Sequence, residues 1–407
     1  MKTARFIFLA AAFVCGALTA FAQTWKQTSA PKLDWYVVAS SADGAKLVAD
    51  VGVDGGIYSS TNSGASWAAT SAPTNFWEGL ASSADGVKLV ASIEYGGIYT
   101  STNSGLTWMQ QTNAPNVNWG VLVSSADGTK LAAEAGMNYD EFGGPIYVST
   151  NSGITWTVTT ETNQWYSLAS SADGTTLAAI GEPADWPENS RLVYISKNSG
   201  ATWGLPNLLG SIFSGSEWSS VACSADGTKL IVGNEGRVFI STNSGATWIS
   251  NSIASTNMQD WNSVAISADG SKMTAIVVWE SGSALASIYS SRDSGVTWQS
   301  NNAPGVAWEW IASSADGAKS FATVGAGGIY TSQTISQPRL NLTPSSTNLM
   351  LDWGIPSTNF VLQQISGLST AGWSNVTNTP VLNLTNLQNQ VTLPAPASNA
   401  FFRLKTP

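Results

Sequence analysis

Histidine is missing altogether from the 407 residues. Its absence removes the commonest general base near neutral pH, the Ser/His and Cys/His nucleophile systems, and histidine-ligated metal sites. Cysteine is nearly absent, with Cys15 and Cys223 alone. Cys15 lies in a segment expected to be removed, so no intrachain disulfide is available and stability must come from packing. Cys223 follows Ser220-Val221-Ala222 and reads as a small buried hydrophobe in a strand. Charge is sparse at 11% of residues, and no basic stripe is visible, which argues against nucleic acid as a partner. No phosphate loop, zinc motif or EF-hand pattern occurs, so neither metal nor cofactor is expected. Beyond the first 22 residues no apolar run is long enough to span a bilayer.

Those first 22 residues read as a secretory leader. Lys2 and Arg5 precede an apolar run from Phe6 to Phe13, and Ala20-Phe21-Ala22 is a small-residue cleavage site before Gln23. Secretion is therefore expected, to the periplasm, cell surface or medium. Without the leader's two basic residues, 15 basic and 26 acidic side chains remain, a net charge of −11.

What the chain has in abundance is repetition. Ser-Ala-Asp-Gly ends at Gly44, Gly86, Gly128, Gly174, Gly227, Gly270 and Gly317, spaced by 42 to 53 residues. A second marker, Ser-x-Asn-Ser-Gly-x-Thr-Trp, runs through Asn62, Gly64 and Trp67, with Ser66 in place of Thr. It returns as Asn103, Gly105 and Trp108, as Asn151, Gly153 and Trp156, and as Asn198, Gly200 and Trp203. Asn243, Gly245 and Trp248 follow, then Asp293, Gly295 and Trp298, where Asp replaces Asn. A third marker, Ile-Tyr or its equivalent, lies between them from Ile57-Tyr58 to Ile329-Tyr330. In the second copy Trp77 to Ser82 reads as a strand, Ala84-Asp85-Gly86 as its turn, and Lys88 to Ser92 as the next strand. Ile98 to Ser101 and Trp108 to Gln111 supply two more. Four antiparallel strands per repeat, seven times, predict an all-β, seven-bladed β-propeller over 23–335.

The marker counts also predict how such a ring closes. The seventh unit keeps Ile329-Tyr330-Thr331-Ser332 but loses its box, and Thr24-Trp25-Lys26-Gln27-Thr28 matches Thr107-Trp108-Met109-Gln110-Gln111. The chain start is therefore expected to supply the last strand of the last blade. Seven tryptophans then occupy the box position and seven open the first strands: Trp35, Trp77, Trp119, Trp165, Trp218, Trp261 and Trp308. Each buries ~150–250 Å², enough to replace the missing disulfides.

The box, read with its flanking strands, resembles the Asp-box (BNR) repeat of sialidases, sortilin-type receptors, xyloglucan-cleaving glycosidases and photosystem II stability/assembly factor-like proteins. The family motif is Ser-x-Asp-x-Gly-x-x-Trp, and the resemblance covers residues 24–332. Five copies here carry Asn where the family has Asp. The resemblance implies a structural hairpin at the blade periphery, away from the active face. An amide oxygen still accepts backbone N–H bonds inside such a turn, so Asn suits that role.

Residues 336–407 change character. Leu349 to Trp353, Phe360 to Gln363, Trp373 to Val376 and Phe401 to Leu404 read as alternating strands. Their order resembles a small fibronectin type III-like β-sandwich.

Topology divides the propeller into two faces. Asp-Gly turns and boxes share one, and the loops between second and third strands lie on the other. Three of those loops are long: Ala135 to Pro145, Gly181 to Arg191 and Trp279 to Ala286. They supply the candidate ligand-binding residues Asp140, Glu141, Asp185, Trp186, Trp279 and Glu280, since variable loops on a rigid scaffold are where binding usually sits. Asp54, Glu94, Tyr95 and Glu235 add to that face. No catalytic residue is singled out. A sialidase reading lacks support, because the repeats hold only Arg191, Arg237 and Arg292, and Arg292 lies inside a box. The expected function is a secreted, non-catalytic module that binds a protein or polysaccharide through the loop face. The alternatives are an extracellular glycoside hydrolase using two carboxylates on that face and a carbohydrate-binding lectin.

Overall fold

The computed structural model describes residues 25–52, 54–136, 143–183, 191–205, 218–234, 237–251, 259–279, 286–301, 303–333, 340–345, 347–354, 361–366, 372–383, 388–396 and 400–405. All regular elements among them are β-strands. In the first repeat the strands Trp35–Ser40, Leu47–Val51, Ile57–Ser60 and Ala68–Ala69 pair in sequence order as one antiparallel sheet. Trp77–Ser82, Leu89–Ile93, Ile98–Ser101 and Met109–Gln110 form the second. The third and fourth repeats share a six-stranded sheet, because Thr157–Ser170 runs as one 14-residue strand from the edge of one repeat into the start of the next. The sequence reading expected two strands there. Among the described residues the fourth repeat's outer edge shows one bridge, Ile195 to Gly204. Separate four-stranded sheets follow from Ser220–Cys223 and from Gln259–Ile266. In the last, Trp25–Gln27 pairs with Ile329–Gln333, placing Trp25 opposite Ser332 and Gln27 opposite Tyr330.

Neighbouring sheets bury their faces against each other. Val37, Val48 and Ile57 of the first repeat pack on Trp77, Leu80, Leu89 and Ala91 of the second. The pattern repeats along the chain, and Phe321 and Ile329 of the last repeat pack on Trp35, Val38 and Leu47 of the first. All seven strand-opening tryptophans are at most 2% exposed. Each indole then meets aromatic partners on its own sheet: Trp77, for example, takes Tyr99 edge-on at 5.5 Å and Trp108 tilted at 6.5 Å.

The Ser-Ala-Asp-Gly turns join the repeats a second time. Asp43 Oδ1 accepts from Ser41 Oγ and from the Ala45 N–H, which fixes the turn around Gly44 at φ 65°. The alanine of each turn donates its N–H to the carbonyl of the alanine in the next. The bonds run Ala42 to Ala84, Ala84 to Ala126, Ala126 to Ala172 and Ala172 to Ala225, then Ala225 to Ala268, Ala268 to Ala315 and Ala315 back to Ala42, at 2.6–2.9 Å. These alanines border a cavity of about 180 Å³ that all seven repeats line. Cys223 also lines it and is half-buried rather than buried as expected; burial nonetheless pushes its thiol up to about 12.

A lysine follows most of these turns and reaches the next repeat. Lys88 Nζ donates to the Asp127 carbonyl at 2.9 Å, Lys229 Nζ to the Asp269 carbonyl at 2.9 Å, and Lys319 Nζ to the Asp43 carbonyl at 3.1 Å and to Ser63 Oγ at 3.0 Å. In the fourth repeat Thr176 takes the lysine position. The boxes sit on the same side as the turns, since the Ser63 N–H donates to the Ala45 carbonyl. Inside a box, Asn103 Oδ1 accepts from the Thr107 N–H and from Ser101 Oγ, while Nδ2 donates to Thr107 Oγ1.

Residues beyond 340 form two small sheets around Leu351, Trp353, Leu362 and Val391. The Arg403 guanidinium stands 4.3 Å over the Trp373 ring and donates to Gln363 Oε1 through Nε and Nη2.

Candidate functional site

The loop face owes its chemistry to a break in each opening strand. Trp35 pairs with Val51 and Val38 with Ala49, so Tyr36 and Val37 share the single position opposite Asp50. The same irregularity follows Trp77, Trp119, Trp165, Trp261 and Trp308. A bulge re-aims the extra residue and frees a backbone N–H. The residue behind the tryptophan is Tyr36, Glu78, Gly120, Tyr166, Asn262 and Glu309 in these six repeats. Around it the repeat is nearly constant, and at it the repeat varies.

Side chains accept from the N–H groups that follow the tryptophan. In three repeats a second-strand side chain accepts: Asp50 Oδ1 from Val37 at 3.1 Å, Glu134 Oε1 from Val121 at 2.9 Å, and Thr323 Oγ1 from Trp310 at 3.1 Å. One residue further on, three residues after the tryptophan, a serine of the preceding repeat accepts in three repeats: Ser167 from Val221, Ser220 from Val264 and Ser263 from Ile311. Asp50 is 0% and Glu134 1% exposed, and among the described residues Asp50 Oδ2 and Glu134 Oε2 have no hydrogen-bond partner.

Four repeats thus gather an acidic quadrant: the last, first, second and third. Burial pushes the Glu134 carboxyl up to about 8, with nearby Glu78 adding to the shift. Glu78 is pushed to about 7, by burial first and then by Glu94. Asp50 is raised well above the usual range by burial, against the Val37 bond that lowers it. Glu309 is raised by burial and by Asp34, whose Oδ1 accepts the Ala326 N–H. Tyr36 lies amid these groups: burial raises its phenol, and Glu78, Asp50, Glu309 and Glu134 all raise it further. Its side chain is still 40% exposed.

On the turn face four aspartates shift the opposite way, whereas burial raises Asp316. Asp127 accepts from Ser125 Oγ, the Thr129 N–H and Thr129 Oγ1. These bonds and Lys88 hold it below the usual range despite partial burial. Asp173, Asp226 and Asp269 are lowered by the same arrangement. Beyond the acidic quadrant, Arg191 stands 3.6 Å over the Tyr166 ring and donates to the Trp218 carbonyl, while Tyr166 donates to Glu182 at 3.0 Å.

Of the loop residues singled out in the sequence, Asp140, Glu141, Asp185, Trp186 and Glu280 lie outside the described residues, as does Glu235. Trp279 ends the strand Met273–Trp279 and pairs with Gln259. Asp54 and Tyr95 occupy left-handed backbone at φ 49° and 50°, and Glu94 is the neighbour that acts on Glu78. Tyr36, Asp50, Glu78, Glu134 and Glu309 were not anticipated. One signal was available: Leu47-Val48-Ala49-Asp50-Val51 and Leu131-Ala132-Ala133-Glu134-Ala135 each place one carboxylate inside a fully buried strand. Among the described residues no group of three or more His, Cys, Asp or Glu is placed to hold a metal ion, and no helix is long and apolar enough to cross a membrane.

No protein-family model matches the chain, and no curated protein matches it in sequence. Solved structures do. YCF48 bound to a D1 peptide superposes with a TM-score of 0.57 at 16% identity, covering 77% of this chain and 97% of that one. YCF48 from Cyanidioschyzon merolae gives 0.57 at 17% identity, over 76% and 98%. Hydrazine synthase from Kuenenia stuttgartiensis gives 0.58 at 14% identity, over 77% and 98%. The β-propeller domain of Myceliophteria thermophila Cps50 gives 0.53 at 13% identity, over 77% and 100%. At these identities the likeness shows the fold alone, and that fold is a β-propeller.

Proposed function

We propose that the chain is a secreted, seven-bladed propeller of the Asp-box type that binds a protein partner through its loop face. In this reading residues 1–22 are the leader, 23–335 the propeller and 336–407 a fibronectin type III-like sandwich. Three observations support the blade count and closure: the cyclic run of alanine bonds, the packing of the last repeat on the first, and the pairing of Trp25–Gln27 with Ile329–Gln333. The binding role rests on the contrast between faces. Turns, boxes and lysines tie one face together repeat by repeat, whereas the bulges present different side chains on the other. A structural neighbour described as bound to a D1 peptide, on the same fold, makes a peptide-like partner the favoured class. Asp140, Glu141, Asp185, Trp186, Trp279 and Glu280 belong to the same face in this reading and would enlarge the contact.

A displayed library of random peptides, selected on the full chain beside a glycan array, tests the proposal. Retained peptides that are lost on Tyr36→Ala, with the fold intact, are expected. Binding of glycans without peptides would turn the reading to a lectin. Glu78 gives the hydrolase alternative one specific footing, since a carboxyl that keeps its proton near neutrality beside Glu94 has the character of a general acid. Release of reducing sugar by the wild type but not by Glu78→Gln would favour it.

A further inference from the structure

We propose that the acidic quadrant at Tyr36, Asp50, Glu78 and Glu134 is a receptor for one basic side chain, lysine or arginine, of the protein partner. The inference rests on the loop-face binding reading above and names the chemistry of its partner.

The argument starts from an excess. The bulged N–H needs one acceptor, and Thr323 shows that a neutral hydroxyl supplies it, bonding the Trp310 N–H at 3.1 Å. Its Oγ1 also donates to the Tyr36 carbonyl at 2.9 Å, so nothing is left over. Asp50 and Glu134 accept the same N–H with one oxygen and leave the second buried and unpartnered. An unmatched buried carboxyl oxygen is disfavoured and calls for an explanation outside the local fold. Two of them occur in repeats that flank Glu78, and Glu78 acts on both carboxyls.

No cation of the described residues answers them. Burial, backbone N–H groups and other carboxylates are what act on Asp50, Glu78 and Glu134. The lysines that follow the turns stay on the turn face, where they hold carbonyls and box serines. Arg191 is engaged with Tyr166 and the Trp218 carbonyl. The quadrant is thus short of positive charge, reaches the surface at Tyr36, and is provided with acceptors. An ammonium or guanidinium brings donors only, which suits oxygens that lack them. The phenol face of Tyr36 adds a surface for the cation or its aliphatic stem.

Binding of this kind is linked to pH. The groups that face the site are Tyr36 and Asp50 of the first repeat, Glu78 and Glu94 of the second, Glu134 of the third, and Glu309 with Asp34 at the last-to-first junction. Glu78 and Glu134 titrate at about 7 and about 8 in the free protein, so at pH 6 both are largely protonated. A cation favours their ionised forms, and binding therefore releases protons and tightens as pH rises toward 9.

The test uses the full chain and two probes. Random displayed peptides are selected at pH 8.5, and the blocked pentapeptide Gly-Gly-Lys-Gly-Gly, with its arginine and norleucine counterparts, is titrated by calorimetry at pH 6 and 8.5. Enrichment of Lys or Arg, binding of a basic pentapeptide in preference to the norleucine one, and weaker binding at pH 6 are expected. Glu78→Gln and Glu134→Gln should weaken the basic peptide by at least about 30-fold, the loss typical of removing one member of a buried charge pair. Both variants replace a carboxyl with a neutral isostere, and an unchanged near-ultraviolet circular dichroism spectrum checks their folds. Selected peptides with no basic enrichment, indifferent to Glu78→Gln, would overturn the inference while leaving loop-face protein binding in place. Failure to retain any peptide would overturn both.

Discussion

The pairing of the chain start with the last repeat, the proposed closure, is the feature whose loss should be felt most widely. Trp25 packs with its ring 5.5 Å from Trp308, in the apolar cluster that holds Ile311 and Val324. It is half-buried, so Trp25→Ala should cost about 3 kcal/mol, the lower end for a large aromatic truncation. Deleting residues 23–28 also removes the pairs Trp25–Ser332, Lys26–Thr331 and Gln27–Tyr330 and the bond from the Thr28 N–H to the Ile329 carbonyl. At about 1 kcal/mol net per hydrogen bond, that adds ~2–3 kcal/mol. For a domain of this size, ~2 °C is lost per kcal/mol, so the deletion should lower Tm by roughly 10 °C. It also leaves Ile329–Gln333 as an unpaired edge, which invites association. Thermal unfolding followed by tryptophan fluorescence, with size-exclusion chromatography of the deletion, measures both effects. Trp67→Ala is the internal control, because Trp67 tilts over Trp35 at 6.1 Å as Trp25 does over Trp308. Comparable losses are expected. A stable Trp25→Ala beside a destabilised Trp67→Ala would refute the claim that the N-terminal strand completes the last blade.

Further outcomes follow from the boxes, the buried carboxylates and the turn lysines. Asn103→Ala removes two accepted bonds and one donated bond within its box and should cost ~1–2 kcal/mol while leaving peptide binding unchanged. Asn103→Asp should be tolerated, since Asp293 fills the same position by accepting from Thr297 Oγ1 at 2.6 Å; chemical denaturation distinguishes the two. Glu134 binds its proton more tightly folded than unfolded, so its contribution to stability is full below about pH 4.5 and is lost as pH rises toward 8. Glu134→Gln should therefore raise Tm at pH 8–9 and flatten the fall between pH 5 and 8, and a pH series of melts that is unchanged by the variant would contradict this. Asp127, Asp173, Asp226 and Asp269 have the opposite sign, contributing stability that is lost only as pH falls below about 3.8. Thr176→Lys should add ~0.5–1 kcal/mol by supplying the bond to the next repeat that Lys88 and Lys229 make and Thr176 lacks, read as a higher denaturant midpoint.

The repeat was legible because its markers are structural. Ser-Ala-Asp-Gly recurs since each alanine must be small enough for its backbone to meet the next, and each Gly has positive φ under a side chain of the neighbouring repeat, a lysine stem in six turns, as at Gly86 beneath Lys46, and Thr176 above Gly227. The tryptophans recur because each fills the space between two sheets. The acidic quadrant was harder to see. Its members come from six different strands or strand ends, and no spacing relates Asp50 to Glu78 or Glu134 until the sheets are laid side by side. The bulge was also hidden, because it changes pairing without changing the hydrophobic pattern. Loop length points to Asp140, Trp186 and Glu280 and away from strand residues. The carboxylates inside Leu47–Val51 and Leu131–Ala135 contradicted their own apolar setting, and such local conflicts are where function is most often found.

That conflict also explains why the two ends of the repeat differ in variety. At the turn end every side chain has a structural role. The serine caps the turn, the aspartate holds the serine and the next N–H, and the lysine crosses to the following repeat. A change there costs stability in one repeat and its neighbour together. At the bulge the two anchors are the tryptophan before and the apolar residue after, such as Trp35 and Val38, and both are buried. The residue directly behind the tryptophan is required by neither sheet. Tyr, Glu, Gly and Asn are all accommodated there without altering the fold around them. Side-chain chemistry can therefore vary at this one position repeat by repeat, while the other end ties each repeat to the next. In this chain the position carries Glu in the second and last repeats, Asp50 and Glu134 add acidity from the second strands of the first and third, and Tyr166 pairs with Arg191. A partner that engages this face would meet a strongly polarised rim rather than a seven-fold one, and its basic group would be drawn off the axis toward Glu78.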